Sequence, residues 1–447
     1  MKRTLSRVKK VIIDNKSKAT AITLGLTMMI GITGCGTQAN AAASGGTSPA
    51  TTPSVTTISL WESHLAGGPP GKAMADLVNQ FNQSHPTIKV NLVITKASHK
   101  ALAALAAGDA PTMAEISHYD GNFLSAHALV NLNGILNKMS SAEQQAIFPA
   151  IWSNGEVNGN HYRLQADAKV SQLIYNKNLF EKAGISNPPT TWTQLATDAA
   201  ILKAKLPGVI PIAWKDSSAH ILPPFLANGG QLFKAGTKSQ QADFLSPAAQ
   251  TTFTYFHNLY QSGELILAHG STIRADFGSG KLAIADGTSA GYFKALGAAG
   301  GKFPVGVFAY PKGSTGHSVN LVQGLGFVLM TGHSSVQDHA AGTFLRWWFT
   351  PQVQAKWAME SGYPPESKQA LPLMSTYLSK YTGIKVATQI LQSKYTISRP
   401  VSDNYKEVQS ALDAAFYNAV TGKTSVSTAL SQLQKQADGY LSGNSAL

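Results

Sequence analysis

The chain has 447 residues and a formal net charge of +13, yet only 13 % of its residues are Asp, Glu, Lys or Arg. Soluble domains carry about 25 % charged residues, so the surface is unusually neutral. A single Cys excludes a disulfide framework and a Cys-based zinc site, and 40 Gly with 21 Pro are too few for collagen or wholesale disorder. At roughly 100–200 residues per domain, the length predicts two or three domains.

The N-terminus resembles an export signal. Residues 1–20 hold seven basic side chains and one acid, and an apolar run extends from Ala19 to Ile32. This run is too short to span a membrane, which takes about 20 apolar residues, and it is typical of a secretory signal. Removal of residues 1–34 lowers the net charge to +7. The remaining bases are dispersed, which argues against nucleic-acid binding.

The signal ends in Ile32-Thr33-Gly34-Cys35, which resembles the bacterial lipobox. That resemblance implies cleavage before Cys35, a lipid on its side chain and a membrane anchor without a transmembrane helix. The alternative is an ordinary signal with an accidental Cys. Residues 36–57 are almost entirely Gly, Ala, Ser, Thr, Pro, Asn and Gln, so that 35–57 is predicted to be a lipid anchor followed by a flexible tether.

The body begins with alternating strands and helices. A strand at Ile58–Trp61 precedes a helix whose apolar residues Met74, Leu77, Val78 and Phe81 share one face, and Pro86 ends that helix. Further strands are predicted around 88–92 and 113–116, with a helix over about 99–107 between them. This order predicts a mostly parallel sheet with helical crossovers.

The same pattern recurs in the second half of the chain. Strands are predicted at 173–175, 209–213, 282–285, 305–308 and 326–330, and helices at 178–183, from 191, from 247, and over 335–349, 404–420 and 426–441. No short repeat is visible. We therefore predict an α/β protein with two lobes.

Several segments resemble the extracellular solute-binding proteins of ABC importers, the group with the maltose-, trehalose- and glycerol-3-phosphate-binding proteins. The carriers of the resemblance, in chain order, are residues 81–90, LAAGDAP at 105–111, YNKNLFEKAGI at 175–185 with PPTTW at 188–192, FGSGKLA at 277–283, SGYPP at 361–365, and TGK at 421–423 with Ala429-Leu430. Each motif is weak alone. Together they cover residues 58–441 in the family's order, behind a lipobox.

The resemblance implies a periplasmic-binding-protein-like type II fold, in which a multi-segment hinge joins two α/β lobes around a ligand cleft. It places the N-lobe at 58–168 plus 320–364 and the C-lobe at 169–319 plus 365–447. The hinge crossings are expected near 167–173, 319–324 and 363–369.

Candidate ligand contacts are polar and aromatic residues that follow strands, because ligands bind at strand ends in open α/β sheets and sugars need donors, acceptors and an aromatic face. The resemblance implies the same loops. The candidates are Trp61, Glu62, His64, His118, Tyr119, Asp120, Lys169, Trp214, Asp216, Asp286, Tyr292, Tyr363, Arg399 and Tyr405.

Each candidate has a structural alternative. Trp61 and Trp214 could pack in the core, Asp286 could cap a turn, and Arg399 could pair with a surface carboxylate. Lys169 lies where relatives place a polar ligand contact, and a Lys there suits an anion.

Enzyme motifs give little support for catalysis. Gly287-Thr288-Ser289-Ala290-Gly291 matches G-x-S-x-G, the nucleophile elbow of hydrolases, but the resemblance places it at a ligand loop. The chain has no H-E-x-x-H or P-loop sequence, and its twelve His are scattered. We expect no enzyme activity, no cofactor and no metal.

The resemblance implies an importer component that captures a mono- or oligosaccharide by lobe closure and delivers it to permease subunits. The expected protein is a monomer, lipid-anchored on the outer face of the cell membrane or periplasmic where an outer membrane exists. An alternative is a binder of glycerol 3-phosphate or another anion through Lys169 and Arg399. A further alternative is an extracellular hydrolase.

Overall fold

The computed structural model describes residues 54–117, 120–234, 241–399 and 404–442. The predicted signal, Cys35 and residues 36–53 of the predicted tether lie outside these ranges. The last tether residues already belong to a strand, since the first strand begins at Thr56. No helix of the described ranges is long and apolar enough to cross a membrane.

The strands, numbered in chain order, are β1 Thr56–Glu62, β2 Ile88–Ile94, β3 Met113–Ile116, β4 Glu156–Val157, β5 Asn160–His161, β6 Leu164–Gln165, β7 Ser171–Asn176, β8 Ile210–Trp214, β9 Leu265–Leu267, β10 Leu282–Thr288, β11 Val305–Ala309, β12 Asn320–Leu321, β13 Gly326–Leu329 and β14 Thr396–Ile397.

The α-helices are α1 Pro69–Ser84, α2 Ala97–Ala106, α3 Asp120–Ser125, α4 Asn133–Leu136, α5 Ser141–Ala146, α6 Pro149–Trp152, α7 Lys177–Ala183, α8 Trp192–Lys205, α9 Ser218–Ala227, α10 Pro247–Gln261, α11 Gly270–Gly278, α12 Tyr292–Ala299, α13 Ser335–Trp348, α14 Pro351–Ser361, α15 Ser375–Lys380, α16 Thr382–Gln392, α17 Tyr405–Val420 and α18 Val426–Leu441. Two 3-10 helices lie at Ser289–Gly291 and Lys368–Met374.

The first lobe is built on a five-stranded sheet with the order β2-β1-β3-β13-β6. β1 runs parallel to β2 and β3, because α1 and α2 are the crossovers between these strands. α1 begins with Pro69, which fits the first helical turn, and buries Met74, Leu77, Val78 and Phe81 as their spacing predicts.

The second lobe is built on a sheet with the order β11-β7-β10-β8-β9. β10 lies parallel to β8 and antiparallel to β7, so this sheet is mixed. Its largest core packs α8, α10, α17 and α18 around the sheet. Phe416 of α17 lies edge-on against Phe253 and Phe256 of α10.

Two short antiparallel stretches, around Lys169 and around Gln323, join the lobes together with the strand pair β12–β14. We call them the first and the second hinge stretch. Lys169 and Gln323 exchange backbone hydrogen bonds, each with N···O of 2.9 Å. The Asn320 side chain bonds both backbone groups of Ser171, and β12 pairs in parallel with β14. These contacts hold the chain where it passes between the lobes.

The third crossing is predicted near 363–369, and α16, which follows it, contacts both lobes. Ala387, Ile390 and Leu391 of α16 belong to the core of the first sheet. Gly383 of the same helix packs on the Tyr292 ring of α12, and α16 also lies against β11 of the second sheet. The assignment of 365–397 to the C-lobe therefore stays a prediction.

Candidate functional site

A cavity of about 300 Å³ lies where strands of the second sheet end near Tyr363 of the first lobe. Four basic residues line it, namely Lys169, Lys215, Arg274 and Lys294, and Asp286 is its acidic residue. Lys169 comes from the hinge stretch, whereas Lys215 follows β8 directly. The cavity therefore has the position expected of a ligand site in an α/β protein.

Asp286 is occupied by protein donors. It lies in β10, is 1 % exposed, and accepts hydrogen bonds from Lys215 N at 3.1 Å, His220 Nδ1 at 2.9 Å and the Tyr310 hydroxyl at 2.5 Å. Burial lowers the pKa of His220, which favours the neutral ring that donates from Nδ1. Asp286 therefore stabilises this wall rather than capping a turn. Its three hydrogen bonds leave the carboxylate little capacity to accept hydrogen bonds from a ligand.

A second cavity of about 380 Å³ adjoins the same hinge stretch and shares Lys169 with the first. Its wall carries Arg399, Lys406 and Asp413 together with polar residues of both lobes, namely Ser117, Ser218, Gln323 and Gln409. The two cavities together are lined by six basic and two acidic side chains. This lining favours an anionic or strongly polar solute.

The basic side chains are close enough to interact. Burial lowers the pKa of Lys215, the nearby Asp286 raises it, and the like charge of Lys169 lowers it further. Like charges held close together repel each other, so that an anion that enters between them lowers the electrostatic free energy. A phosphate or carboxylate group in the first cavity would provide that anion.

The first lobe contributes a buried acidic cluster, which we define as Glu62, His64, Glu115 and Asp167. His64 Nδ1 bonds Glu62 Oε1, and its Nε2 lies 2.9 Å from Asp167 Oδ2 and 3.3 Å from the Tyr363 hydroxyl. Tyr363 in turn stacks on Trp357 with ring centroids 5.9 Å apart. The cluster therefore supports Tyr363 from behind.

Electrostatics in the acidic cluster are strong. Burial alone would lower the pKa of His64, but the hydrogen bonds of Asp167 and Glu62 and the charges of Glu115 and Asp167 raise it to about 11. Burial raises the pKa of Glu115 to about 8, against the opposing effect of His64. One imidazolium therefore balances only part of the carboxylate charge.

The stacking role predicted for Trp214 is wrong in this structure. Trp214 is fully buried and contacts the rings of Trp192, Phe256 and Tyr310, so its faces are covered by protein. The alternation of β8 turns this side chain into the core of the second lobe.

Tyr292 and Tyr405 also lie inside the protein rather than in the cleft. The Tyr292 ring packs on Gly383 of α16, where a Cβ atom would come within 2.5 Å of it. Tyr405 is 2 % exposed, and burial raises the pKa of its hydroxyl to about 12. Both predicted ligand contacts are corrected to packing residues.

The remaining candidates divide into three groups. Lys169, Asp286, Tyr363 and Arg399 line the cavities, whereas Glu62 and His64 lie in the acidic cluster behind them. Trp61 packs half-buried on an alanine-rich cluster, and Asp216 lies 4.0 Å from His269 at the surface. His118 and Tyr119 lie outside the described residues, as does the side chain of Asp120, whose backbone begins α3.

Sequence reasoning missed several cavity residues. Lys215 stands between two proposed candidates and could have been included with them. Arg274 and Lys294 belong to α11 and α12, and Lys406 and Gln409 to α17. Each of these helices carries a single Lys or Arg, which is equally typical of a solvent-exposed position, so that only the fold shows that it faces a cavity.

The G-x-S-x-G segment has no hydrolase geometry. Ser289 is fully buried, its backbone N–H donates to Val170 O at 2.9 Å, and its hydroxyl accepts from Val170 N at 3.3 Å. A nucleophile elbow needs an exposed hydroxyl. Ser289 instead fastens the end of β10 to the hinge.

Comparison with known proteins defines the class. The sequence model of the bacterial extracellular solute-binding proteins matches residues 76–381. Because this match covers more than half of the chain, the protein belongs to that family. It is a solute-binding protein of the ABC-importer type, as the sequence resemblance implied.

Curated relatives include the sn-glycerol-3-phosphate-binding periplasmic protein UgpB of Yersinia pseudotuberculosis, 23 % identical over 421 residues that cover 87 % of this chain and 92 % of that one. Among solved structures, the cyclic alpha-maltosyl-1,6-maltose binding protein of Arthrobacter globiformis has a TM-score of 0.76 at 20 % identity, covering 87 % of this chain and all of that one. UgpB of Mycobacterium tuberculosis in complex with glycerophosphocholine has a TM-score of 0.73 at 20 % identity, covering 86 % and 98 %. The predicted α/β fold with two lobes is confirmed.

Proposed function

We propose that this protein captures a small hydroxyl-rich solute of the carbohydrate class between its lobes and delivers it to a membrane permease. A cavity of about 300 Å³ is at the lower end of the range for small-molecule sites. Its polar side chains match the hydrogen-bonding needs of a polyol. Relatives that bind sugars and glycerophosphates support this ligand class.

The position of Lys169 carries the proposal. This residue lines both cavities and also belongs to the backbone bridge with Gln323 that joins the lobes. A solute that contacts Lys169 therefore contacts the hinge, and rotation about the hinge changes its contacts with Tyr363 and Ser117 of the first lobe. Tighter binding in the closed state shifts the population toward closure.

A second candidate is a solute with an anionic group, such as glycerol 3-phosphate. The observation that favours it is the excess of Lys and Arg around the first cavity, where the Asp286 carboxyl already accepts several hydrogen bonds. Charge-assisted hydrogen bonds to a phosphate contribute more than neutral ones. A sugar ligand would accept hydrogen bonds from the same side chains without carrying a charge of its own.

The experiment is a calorimetric titration with maltose, trehalose, glucose and glycerol 3-phosphate, with product analysis afterwards. Saturation by a neutral sugar without products supports carbohydrate capture. Response to the phosphate ester alone supports the anionic candidate and contradicts the first. Formation of a product would show that the protein is an enzyme. Calorimetry is preferred to fluorescence because Trp214, Trp348 and Trp357 are fully buried.

The variant Lys169→Met tests the shared wall. We expect its affinity for the solute to fall about 10- to 100-fold, the loss of one hydrogen bond to a charged group. The matched control is Lys281→Met, an exposed lysine of the same lobe just before β10, which should bind like the parent. Equal affinity of Lys169→Met and parent would contradict the assigned role of Lys169.

The lipid anchor at Cys35 and the monomeric state remain part of the proposal. A lipid anchor would keep the binding lobes near the permease, on the outer face of the cell membrane. Expression with Cys35→Ser in the native host should release the protein from the membrane fraction. Retention of this variant on the membrane would contradict lipid anchoring at Cys35.

A further inference from the structure

The acidic cluster has a geometry that carbohydrate capture does not explain. β1 and β3 are parallel neighbours with Trp61 opposite Ala114, so that Glu62 and Glu115 come side by side. Both glutamates are fully buried. Two carboxyl groups that share a buried face of one sheet repel each other and lose hydration, which costs several kcal/mol per ion in proteins.

The compensation within the protein is incomplete. Glu62 Oε2 and Glu115 Oε1 are buried and have no hydrogen-bond partner among the described residues. The ion pairs recorded for Glu62, Glu115 and Asp167 all involve one group, His64. Unpaired buried carboxyl oxygens of this kind are rare in native proteins, and a bound positive species would satisfy them.

The orientation of His64 indicates where that species would bind. Its Nε2 faces Asp167 Oδ2 at 2.9 Å, whereas Nδ1 faces Glu62 and lies 3.7 Å from Glu115 Oε2. A carboxylate that accepts Nε2–H fixes the ring, and a metal ion that displaces the Nδ1 proton shared with Glu62 would bind the Nδ1 lone pair, which is the usual arrangement around metal-binding histidines. Asp167 has this supporting position.

We propose that Glu62, His64 and Glu115 form a binding site for a divalent transition-metal ion of the Zn²⁺ class. One ligand atom from each lies within 4.8 Å of the others. In a tetrahedral site with ligands about 2.1 Å from zinc, neighbouring ligand atoms are about 3.4 Å apart, so small side-chain rotations suffice. One imidazole with two carboxylates suits Zn²⁺, while Ca²⁺ and Mg²⁺ prefer six or more oxygens.

The ion would stiffen the first lobe where it meets the hinge. It would join the end of β1 to β3 directly, and His64 would connect it to Asp167. The other oxygen of Asp167 accepts from Leu325 N in the second hinge stretch, and Tyr363 lies beside His64. The site is thus a structural support behind the cleft, separate from the cavity lining.

Zinc binding to the untagged full chain, freed of metal by a chelator, tests the proposal. We expect one Zn²⁺ per chain by calorimetry, a raised melting temperature, and an anomalous diffraction peak at the zinc edge between Glu62, His64 and Glu115. Mg²⁺ and Ca²⁺ should not compete. Absence of bound zinc, or a peak at another place, would overturn the site.

Two variants make the test specific. Glu115→Gln keeps the shape of the side chain and should lower zinc affinity by about 100-fold or more, beyond the 10- to 100-fold typical of supporting residues. Glu156→Gln is the matched control, because Glu156 lies 3.7 Å from His161 in another His–Glu pair, and it should bind one Zn²⁺ normally. If Glu115→Gln folds and binds zinc like the parent, the proposal fails. If it does not fold, the anomalous peak of the parent decides.

Discussion

Asp413 illustrates how the cavity wall affects a single carboxyl group. It lies in α17, lines the second cavity and accepts a hydrogen bond from Ser218 N at the start of α9, with N···O of 2.5 Å. Burial raises its pKa to about 6, the hydrogen bond from Ser218 lowers it, and the charge of Asp216 raises it. The folded state therefore holds this proton more tightly than the unfolded chain does.

The raised pKa predicts a pH-dependent effect of Asp413→Asn. The stabilisation from the bound proton is fully present below about 3.8, the unfolded value, and is lost as pH rises through about 6. Asn keeps the acceptor for Ser218 and cannot ionise. The variant should match the parent at pH 3.5 and exceed its free energy of unfolding at pH 7.5 by about 1–2 kcal/mol, allowing for partial solvent screening.

Denaturant unfolding at the two pH values measures this difference. Asp76→Asn is the control, because Asp76 is exposed on α1 and exposed substitutions usually change stability by less than about 0.5 kcal/mol. A lower stability of Asp413→Asn at pH 7.5 would show that ionised Asp413 stabilises the fold, against the prediction.

At the residue level, sequence reasoning chose residues that line a cavity where chemistry and strand order agreed, and their contact with a ligand stays a prediction. Lys169, Asp286 and Tyr363 were named from loops after strands or near a crossing, and each lines a cavity. Trp214 failed because the last residue of a strand can point to either face, and only the pairing partners decide which. Glu62 and His64 were named as ligand contacts, but their joint arrangement with Glu115 depends on sheet register, which no local pattern specifies.

At the scale of elements, periodic apolar residues were reliable. The helix from Pro69 buries the predicted face, and a helix begins at Pro247 as predicted. Strands of two residues, such as β6, β12 and β14, have no periodicity to detect, and their pairing depends on residues far away in sequence.

The hinge stretch at Gly324 has a conformation that requires glycine. Its φ is +120°, and a Cβ atom there would lie 1.7 Å from the Asp167 carbonyl oxygen. We expect Gly324→Ala to lower the free energy of unfolding by at least about 2 kcal/mol more than the same substitution at a glycine that has a positive φ but free space around the added Cβ atom. Thermal unfolding followed by circular dichroism measures the change.

Gly316→Ala is the matched control for backbone strain. Gly316 has φ +78° and nothing within 4 Å of the added Cβ, so this variant should lose about 1–2 kcal/mol from conformation only. Equal destabilisation by the two substitutions would show that the close approach of the two hinge stretches is not needed for stability.

At the scale of the whole molecule, charge is scarce and unevenly placed. The 23 Asp and Glu residues of the chain are few for 447 residues, and six basic but only two acidic side chains line the two cavities. Burial raises the pKa of Asp198 as well as that of Asp413, so part of the carboxyl titration favours the folded state in acid. Burial of His220 lowers its pKa and acts in the opposite direction, since that stabilisation is lost as pH falls.

We therefore expect the melting temperature to change little between pH 7 and pH 3.5. Few carboxylates remain to be neutralised on the surface, and the contributions of the buried carboxyls offset that of His220. Scanning calorimetry at both pH values checks this expectation. A collapse of the melting temperature at pH 3.5 would show that paired carboxylates dominate stability after all.

Closure of the two lobes on a solute is the central claim, and small-angle X-ray scattering tests it most directly. The radius of gyration would be measured without solute and with saturating maltose, trehalose, glucose or glycerol 3-phosphate. Because the hinge joins the lobes and Lys169 connects it to both cavities, we predict that at least one of these solutes lowers the radius of gyration and that Lys169→Met weakens this response. If a solute binds by calorimetry and the radius of gyration stays the same, capture by lobe closure is contradicted.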